Sequence, residues 1–463
     1  MNVIAQEKYV VLNSLSFPIA PSILDLETNW VDVVTTCPVG YEEDSNGDVS
    51  ISTAEGLAWL ISTVNGLNGQ TANTFEGKTI SLTDNVDISA NIWTPIGNQN
   101  AFFKGTFNGN DFEIEGIYML DFATGDNYAL FGYLHNATVK NIVLKDGVVG
   151  GNLNVGTIAS TSDSLSVIDK CFVSTIVNGS QCSGGIVAVN RCSTVSNCCY
   201  CANAIGAMVS TGGIVGCNLA DADIADALVV NCYCVTDFAS NYSSLNNGGI
   251  VGVNNGSATE KQAVVKNCYS AITGMYGVSC GNIAGRNLWG GTIENCYYLE
   301  NENPFCGVNY GDSYNISSFY LENLQWLLSE PVIIGNEIDN LLDALNAWVD
   351  EQADDEYEEW CEEDGGGKIE YPVFCFNTTA IENHETVKNT ILAYPNPCKE
   401  ILTLSGENIC SVEVYDFEAK KILSMRFDNT SYANINVKDL KSGVYLVNVI
   451  DGYGNSYVVK ILK

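Results

Sequence analysis

The sequence predicts an all-β protein in two parts, a parallel β-solenoid with short helices at its ends and then a small β-sandwich. Three observations lead there. Two short motifs alternate through the middle of the chain. The segments between them are short runs of Val, Ile, Tyr and Cys broken by Gly, Asn and Ser, with no 3.6-residue apolar period. The pattern then changes abruptly after Phe376. Repetition over tens of residues marks a stacked architecture, and the missing helical period excludes helical solenoids.

The first motif runs Gly184-Gly185-Ile186-Val187-Ala188-Val189-Asn190 and returns at Gly212 to Asn218 and at Gly248 to Asn254. Worn copies stand at Gly281 to Asn287 and Gly156 to Ala159, so the spacing is 28 to 36 residues. The second is Asn-Cys-aromatic, at Asn197-Cys198, Asn231-Cys232-Tyr233, Asn267-Cys268-Tyr269 and Asn295-Cys296-Tyr297. Cys171-Phe172 and Asn141-Ile142 fill the same slot earlier. Stacking coils in register at about 4.8 Å puts Ile158, Ile186, Ile214, Ile250 and Ile283 in one core column. Ile142, Cys171, Cys198, Cys232, Cys268 and Cys296 form another. Paired glycines allow close backbone approach at a corner, and Asn190, Asn218, Asn254 and Asn287 line up for an amide ladder along a turn.

This register assigns a role to the cysteines. There are 18, of which 13 lie between Cys171 and Cys306. One per coil in a fixed slot is what a buried column of small apolar side chains requires. Disulfides between rungs are the second reading. Zinc is the third, raised by Cys199/Cys201 and Cys232/Cys234, although i and i+2 on a strand merely share a face and no histidine is near.

Coils extend upstream through Ala129-Leu130-Phe131-Gly132 and Phe103 to Asn110. A solenoid needs covered ends, and two amphipathic helices stand where they are needed, near 53–65 and 337–350. The first opens on a Ser52-x-x-Glu55 capping box and carries Leu57, Leu60, Ile61 and Val64, with Gly66 as the stop. The second carries Ile338, Leu341, Leu342, Leu345, Trp348 and Val349. The resulting division is a leader or cap segment at 1–50, a solenoid at 51–376, a linker at 377–389 and a C-terminal module at 390–463. Val3-Ile4-Ala5-Gln6 suits the last residues of a signal peptide.

From Ser52 to Phe376 the chain resembles the GLUG-repeat proteins of bacterial surfaces. The carriers are Trp93-Thr94-Pro95-Ile96-Gly97, the Phe103 to Asn110 stretch, the repeated motifs, and Leu341 to Trp348 followed by Tyr371-Pro372-Val373-Phe374. The resemblance implies a right-handed β-solenoid with an adhesin-like role.

Beyond the linker, strand candidates are Ile401–Leu404, Ser411–Tyr415, Ile422–Phe427, Ile435–Val437, Val444–Ile450 and Tyr457–Leu462, which suggests a sandwich. The module opens with Tyr394-Pro395-Asn396-Pro397. Val414-Tyr415-Asp416 and Lys421-Ile422-Leu423 follow, then Leu440-Lys441-Ser442-Gly443-Val444-Tyr445 and Lys460-Ile461-Leu462-Lys463. In this order the pieces resemble the type A sorting domain of the type IX (Por) secretion system, with Glu418-Ala419 where that family usually has Gly. The resemblance implies an Ig-like sandwich and Sec export. It also implies passage across the outer membrane, removal of the module by a sortase-like peptidase, and release or attachment to surface lipopolysaccharide.

Charge narrows the remaining functions. There are 55 acidic against 20 basic residues, a net charge of −35, and three arginines, Arg191, Arg286 and Arg426. Such a surface repels phosphate backbones and anionic lipids, so nucleic acid is excluded as a partner. No apolar run approaches the length of a transmembrane helix. The two histidines, His135 and His384, belong to no metal motif, and no nucleophile elbow or phosphate loop is present. Uronate lyases need cations that this chain lacks. A hydrolase needs only clustered carboxylates, for which Asp163, Asp169, Asp221, Asp223 and Asp226 are the candidates. Asp44-x-Asn46-x-Asp48 with Glu55 imitates a calcium loop but has Val49 where Gly is required. From Asp350 to Asp364 ten of fifteen residues are acidic, which reads as a solvated loop. The expectation is a non-catalytic, cofactor-free, metal-free adhesin-like protein, secreted or held on the outer-membrane surface. Its contact loops would bear Asp221, Asp223, Tyr242 and Lys261 toward an unidentified glycan or protein. Alternatives are a glycan-cleaving β-helix enzyme and a structural coat protein.

Overall fold

The computed structural model describes residues 9–12, 15–18, 26, 28–123, 125–238, 244–257, 261–273, 275–322, 325–352, 356–362, 371–375, 392–394, 401–415, 421–438, 440–441, 444–451 and 456–462. They fall into two compact units, Met1–Phe376 and Asn377–Lys463. The suspected leader remnant at 1–6, the linker at 377–389 and His384 lie outside the described residues.

The first unit is a stack of coils built from parallel strands. One sheet has seven strands, from Phe131–His135 through Ala159–Asp163, Val187–Arg191, Val215–Leu219, Val251–Asn255 and Ala284–Asn287 to Cys306–Asn309. A second has five, Asn154–Val155, Cys182–Gly184, Ser210–Gly212, Asn246–Gly248 and Ser279–Gly281. The third, much larger sheet carries the remaining coil strands and bends at one left-handed residue per coil. Those residues are Asn141, Lys170, Asn197, Asn231, Asn267, Asn295 and Asn315, with φ between 49° and 54°. Asparagine is the non-glycine residue that best tolerates this conformation, which explains why it recurs there.

The corner aims the next residue inward. Ile142 pairs in register with Cys171 and Cys296 with Ile316, and Cys198, Cys232 and Cys268 stand between them, all buried except Ile316, which is half-buried. The isoleucines also stack: Ile158, Ile186, Ile214 and Ile250 each donate a backbone N–H to the isoleucine carbonyl one coil on. Burial pushes the thiols of Cys171, Cys198, Cys232 and Cys296 up, which keeps them protonated and inert.

Two amide ladders run along the stack in opposite senses. In the first, Asn190 Nδ2 donates to Asn218 Oδ1 at 2.8 Å, Asn218 to Asn254 at 2.9 Å, Asn254 to Asn287 at 2.9 Å and Asn287 to Asn309 at 2.9 Å. The second uses the left-handed corner. Asn267 donates back to Asn231 and Asn231 back to Asn197, both at 2.8 Å. Buried amides remain only where their donors and acceptors are met, and a ladder meets them coil by coil.

Helix α1 spans Trp30–Val33 and α2 spans Ala54–Asn65. The stripe Leu57, Leu60, Ile61 and Val64 of α2 packs into the same core as Ile51, Ile80 and Leu82. Its N-cap is Thr53, whose Oγ1 accepts from the Gly56 N–H at 3.1 Å. The capping box expected at Ser52 is therefore displaced by one residue. Ser52 belongs to the preceding turn, its N–H donating to Gly40 O at 3.0 Å.

Helix α3 spans Leu341–Asp350, capped by Asn340, whose Oδ1 accepts from Asp343 N at 2.8 Å. Ile338, expected in this helix, lies in the strand Asn336–Asn340. Expected at an end, α3 runs instead along the side of the coils. Its Leu345 carbonyl accepts from Asn267 Nδ2 at 3.2 Å, and Lys266 sits over the Trp348 ring at 5.6 Å. The residues that follow continue as a strap. Asn197 and Asn231 donate to the carbonyls of Glu356 and Glu358, Trp360 Nε1 donates to Asn231 Oδ1 at 2.8 Å, and Tyr269 OH to Pro372 O at 2.5 Å. Lys170 is ion-paired with Glu358. The physical reason lies in the column Tyr233, Tyr269 and Tyr297, in register on the outer face of the large sheet. Left bare, it would be a large apolar patch; Trp360, Phe374, Leu345 and Trp348 bury it in a second core.

A disulfide between Cys361 and Cys375 closes the strap across a separation of 14 residues. Loop-closure entropy for such a ring is worth about 3 kcal/mol. Cys361→Ser is therefore expected to raise hydrogen exchange across 356–374 before the coils open, as measured by mass spectrometry.

The second unit is antiparallel β. Ile401–Tyr415 pairs with Leu392–Tyr394, Lys421–Asn436 and Val444–Asp451, and the last of these pairs with Ser456–Leu462. The separate short strands expected between 401 and 437 are two long ones. The residues read as breaks, around 405–411, are register shifts within a continuous strand. Leu402, Leu404, Val412, Val414, Ile435, Val447 and Val449 form its core.

Candidate ligand-contact face and secretion address

The turn following the first asparagine ladder is one place where coils differ in length. After Leu219 the chain makes a small loop, with Asp221 N donating to Ala225 O at 3.3 Å and Asp223 N to Asp221 Oδ1 at 3.0 Å. One coil on, Ser257 N donates to Lys261 O at 2.8 Å, and Gln262 N reaches back to Asp226 Oδ1 at 2.8 Å. Ala227 N donates to Gln262 O and Ala263 N to Gly290 O, both at 3.0 Å. Successive corners therefore stack into a ridge, with Asp221 and Trp289 two rungs, about 10 Å, apart.

The top of this ridge is aromatic. Trp289 and Tyr310 stack with centroids 5.7 Å apart and planes at 10°, and they are 67% and 56% exposed. Each comes directly before a glycine, Gly290 or Gly311, and occupies the turn one coil from the other. Sequence reasoning missed this pair. The Trp-Gly and Tyr-Gly steps just after Asn287 and Asn309 are the signal that marks it once the register is known.

The other candidate residues are distributed as follows. Asp223 is exposed, while Asp221 and Lys261 are half-buried. Tyr242 lies outside the described residues. Of the candidate carboxylates, Asp221, Asp223 and Asp226 share the ridge. Asp163 ends a strand of the seven-stranded sheet. Asp169 is at the opposite corner, where Ser196 and Asn197 donate to its Oδ1 at 2.8 and 2.7 Å and burial raises its pKa. The five carboxylates thus do not converge on one point. Asp44 Oδ1 accepts from Asn46 N at 2.7 Å and Asp48 N at 3.0 Å, an Asx turn made from the calcium-like spacing. His135 stacks on Phe102 at 5.2 Å. Cys232 and Cys234 face the main core, whereas Cys199 and Cys201 face the strap.

In the second unit, Tyr445 is buried and its OH donates to Lys441 O at 2.9 Å. Leu440 packs against the core there. Tyr394 and Lys460 lie in the strands Leu392–Tyr394 and Ser456–Leu462. Pro395, Asn396, Pro397 and Gly443 lie outside the described residues.

Residues 392–463 match the family described as the secretion system C-terminal sorting domain. No curated protein and no solved structure matches the chain. Among the described residues no helix is long and apolar enough to cross a membrane. The matched sorting domain makes the molecule a secreted protein, a parallel-β, solenoid-like body carrying a Por (type IX) address at residues 392–463. That domain directs it to the secretion machinery for processing, and to secretion or attachment at the outer-membrane surface.

Proposed function

We propose that the coils form a non-catalytic, adhesin-like body whose corner ridge binds a glycan through Trp289 and Tyr310. The exposed stacked pair carries this reading. Two large rings left this exposed bury little apolar area for the coils, and an exposed apolar surface of this kind favours a contact role. Ring faces are electron-rich, and the C–H face of a pyranose supplies the complementary partial charge. Asp221, Asp223 and Lys261 flank the shelf and offer polar contacts for orientation. A rigid stacked scaffold keeps the rings preorganised, which lowers the ordering cost of binding.

The proposal extends to the finer architecture. The repeats are of the GLUG type, wound right-handed, with α2 covering the first coils, and the sorting unit folds as an Ig-like sandwich. A sortase-like peptidase removes that unit, and lipopolysaccharide receives the body where it stays attached.

Incubating the purified protein with a panel of host glycans, plant polysaccharides and matrix proteins, and scoring retention and products by mass spectrometry, tests the proposal. Retained, unchanged glycan is the expected result. Trp289→Ala is expected to weaken retention about 30-fold, the roughly 2 kcal/mol of an aromatic anchor, with the circular dichroism unchanged. Cleaved products would overturn the non-catalytic reading and point to the Asp221–Asp226 loop. Retention that survives Trp289→Ala with Tyr310→Ala would move the site elsewhere.

A further inference from the structure

We infer that Cys182 and Cys217 form a disulfide after export, clipping the five-stranded sheet of one coil to the seven-stranded sheet of the next. Their Sγ atoms are 2.9 Å apart, inside the contact distance of two sulfurs and less than about 1 Å from a covalent bond. The sheets are close because Gly216, beside Cys217, has no side chain. A Cβ there would meet Ser183 O at 2.8 Å. Cys182 pairs in register with Ser210, and Cys217 with Val189 and Val253, so neither thiol belongs to the buried cysteine column.

The contrast with that column is informative. Column thiols sit one above another on parallel strands about 4.8 Å apart, beyond the usual Cβ separation of a disulfide, and they are buried in a dry core. Cys182 and Cys217 approach from different sheets, and both are half-buried, within reach of an oxidant. The hydrogen bond from Cys217 draws the Cys182 thiol below its ordinary pKa, which favours the thiolate as the first nucleophile.

The oxidant is a disulfide such as oxidised glutathione. The Cys182 thiolate attacks one of its sulfurs, forming a mixed disulfide and expelling one glutathione thiolate. Cys217 then gives up its proton and attacks Cys182 Sγ, expelling the second. Two cysteine thiols lose two protons and two electrons, and two glutathione thiols are formed.

The test uses the full chain, treated with oxidised glutathione, alkylated and mapped by peptide mass spectrometry without reduction. The expected product is a cross-linked peptide pair containing Cys182 and Cys217, 2 Da lighter than the two thiol peptides combined. In Cys217→Val, which borrows the side chain of the neighbouring coils, Cys182 should instead appear alkylated or glutathionylated. That variant should also lose the gain in thermal midpoint that oxidation gives the wild type. Alkylation of both cysteines in folded, oxidised wild type would overturn the inference, as would cross-links of either to another cysteine.

Discussion

Deleting residues 392–463 is expected to abolish delivery outside the cell and leave a folded solenoid in the periplasm. The matched sorting domain occupies these residues, and they lie in a compact unit separate from the coils. Leu402, Val412 and Val447 pack with one another in a core of that unit's own. The deletion should therefore remove the address and leave stability nearly unchanged. Fractionation of a type IX-secreting host, with immunoblots of medium, surface and periplasm, measures it. The signal should pass from the first two fractions almost wholly to the third. Tyr445→Ala provides a finer probe, because it removes a buried ring and the hydrogen bond to Lys441 O. At about 3 kcal/mol for truncating a buried aromatic, a small unit should lose much of its fold and export with it. Undiminished export of the deletion would show that the address lies elsewhere in the chain.

Repetition made the interior of the coils legible. One residue per coil in a fixed slot, whether Ile186, Cys198 or Asn190, implies a column before any coordinate is known, because stacking multiplies each local choice. What surrounds the coils was not legible. Asn-Cys-Tyr places Tyr233 and Tyr269 on the outer face, yet nothing local says that Trp360 and Phe374, about a hundred residues away, will cover them. Cys361 sits inside an acidic stretch that reads as a solvated loop and Cys375 lies beyond its end, and their pairing follows only from the antiparallel strands of the strap. In the sorting domain, Ser405-Gly406-Glu407-Asn408 has turn composition, but cross-strand pairing carries the chain through it as a bulge. The ridge aromatics fell between these cases. Trp289 and Tyr310 are ordinary residues until the coil register sets them side by side.

Gly212→Ala should be among the most damaging single substitutions in the coils. The first glycine of each Gly-Ile motif stands where the chain folds back from the five-stranded sheet into the seven-stranded one. A Cβ would meet the carbonyl three residues on, at 1.8 Å for Gly184 and Gly212, 1.9 Å for Gly248, and 2.1 Å for Gly156 and Gly281. All five copies are glycine, whereas the next position holds Thr157, Gly185, Gly213, Gly249 and Asn282 and so admits side chains at both ends of the series. The Gly212 Cβ would also press on the Gly252 N–H of the following coil, at 2.8 Å. Relief requires moving Val215, and Val215 is held in register between Val187 and Val251. Overpacking against backbone that cannot retreat costs about 3 kcal/mol or more. In a stack where each coil is stabilised by its neighbours, one broken coil loosens those on both sides. Thermal and denaturant unfolding of the variant should show a large loss, together with early exchange of amides on the coils that flank Gly212. Gly69→Asn supplies the control. That glycine has φ 78° with nothing within 4 Å, a left-handed site that asparagine tolerates, so a change within about 0.5 kcal/mol is expected. A wild-type midpoint for Gly212→Ala would mean that the fold-back is not the tight, backbone-limited turn on which the coil spacing depends.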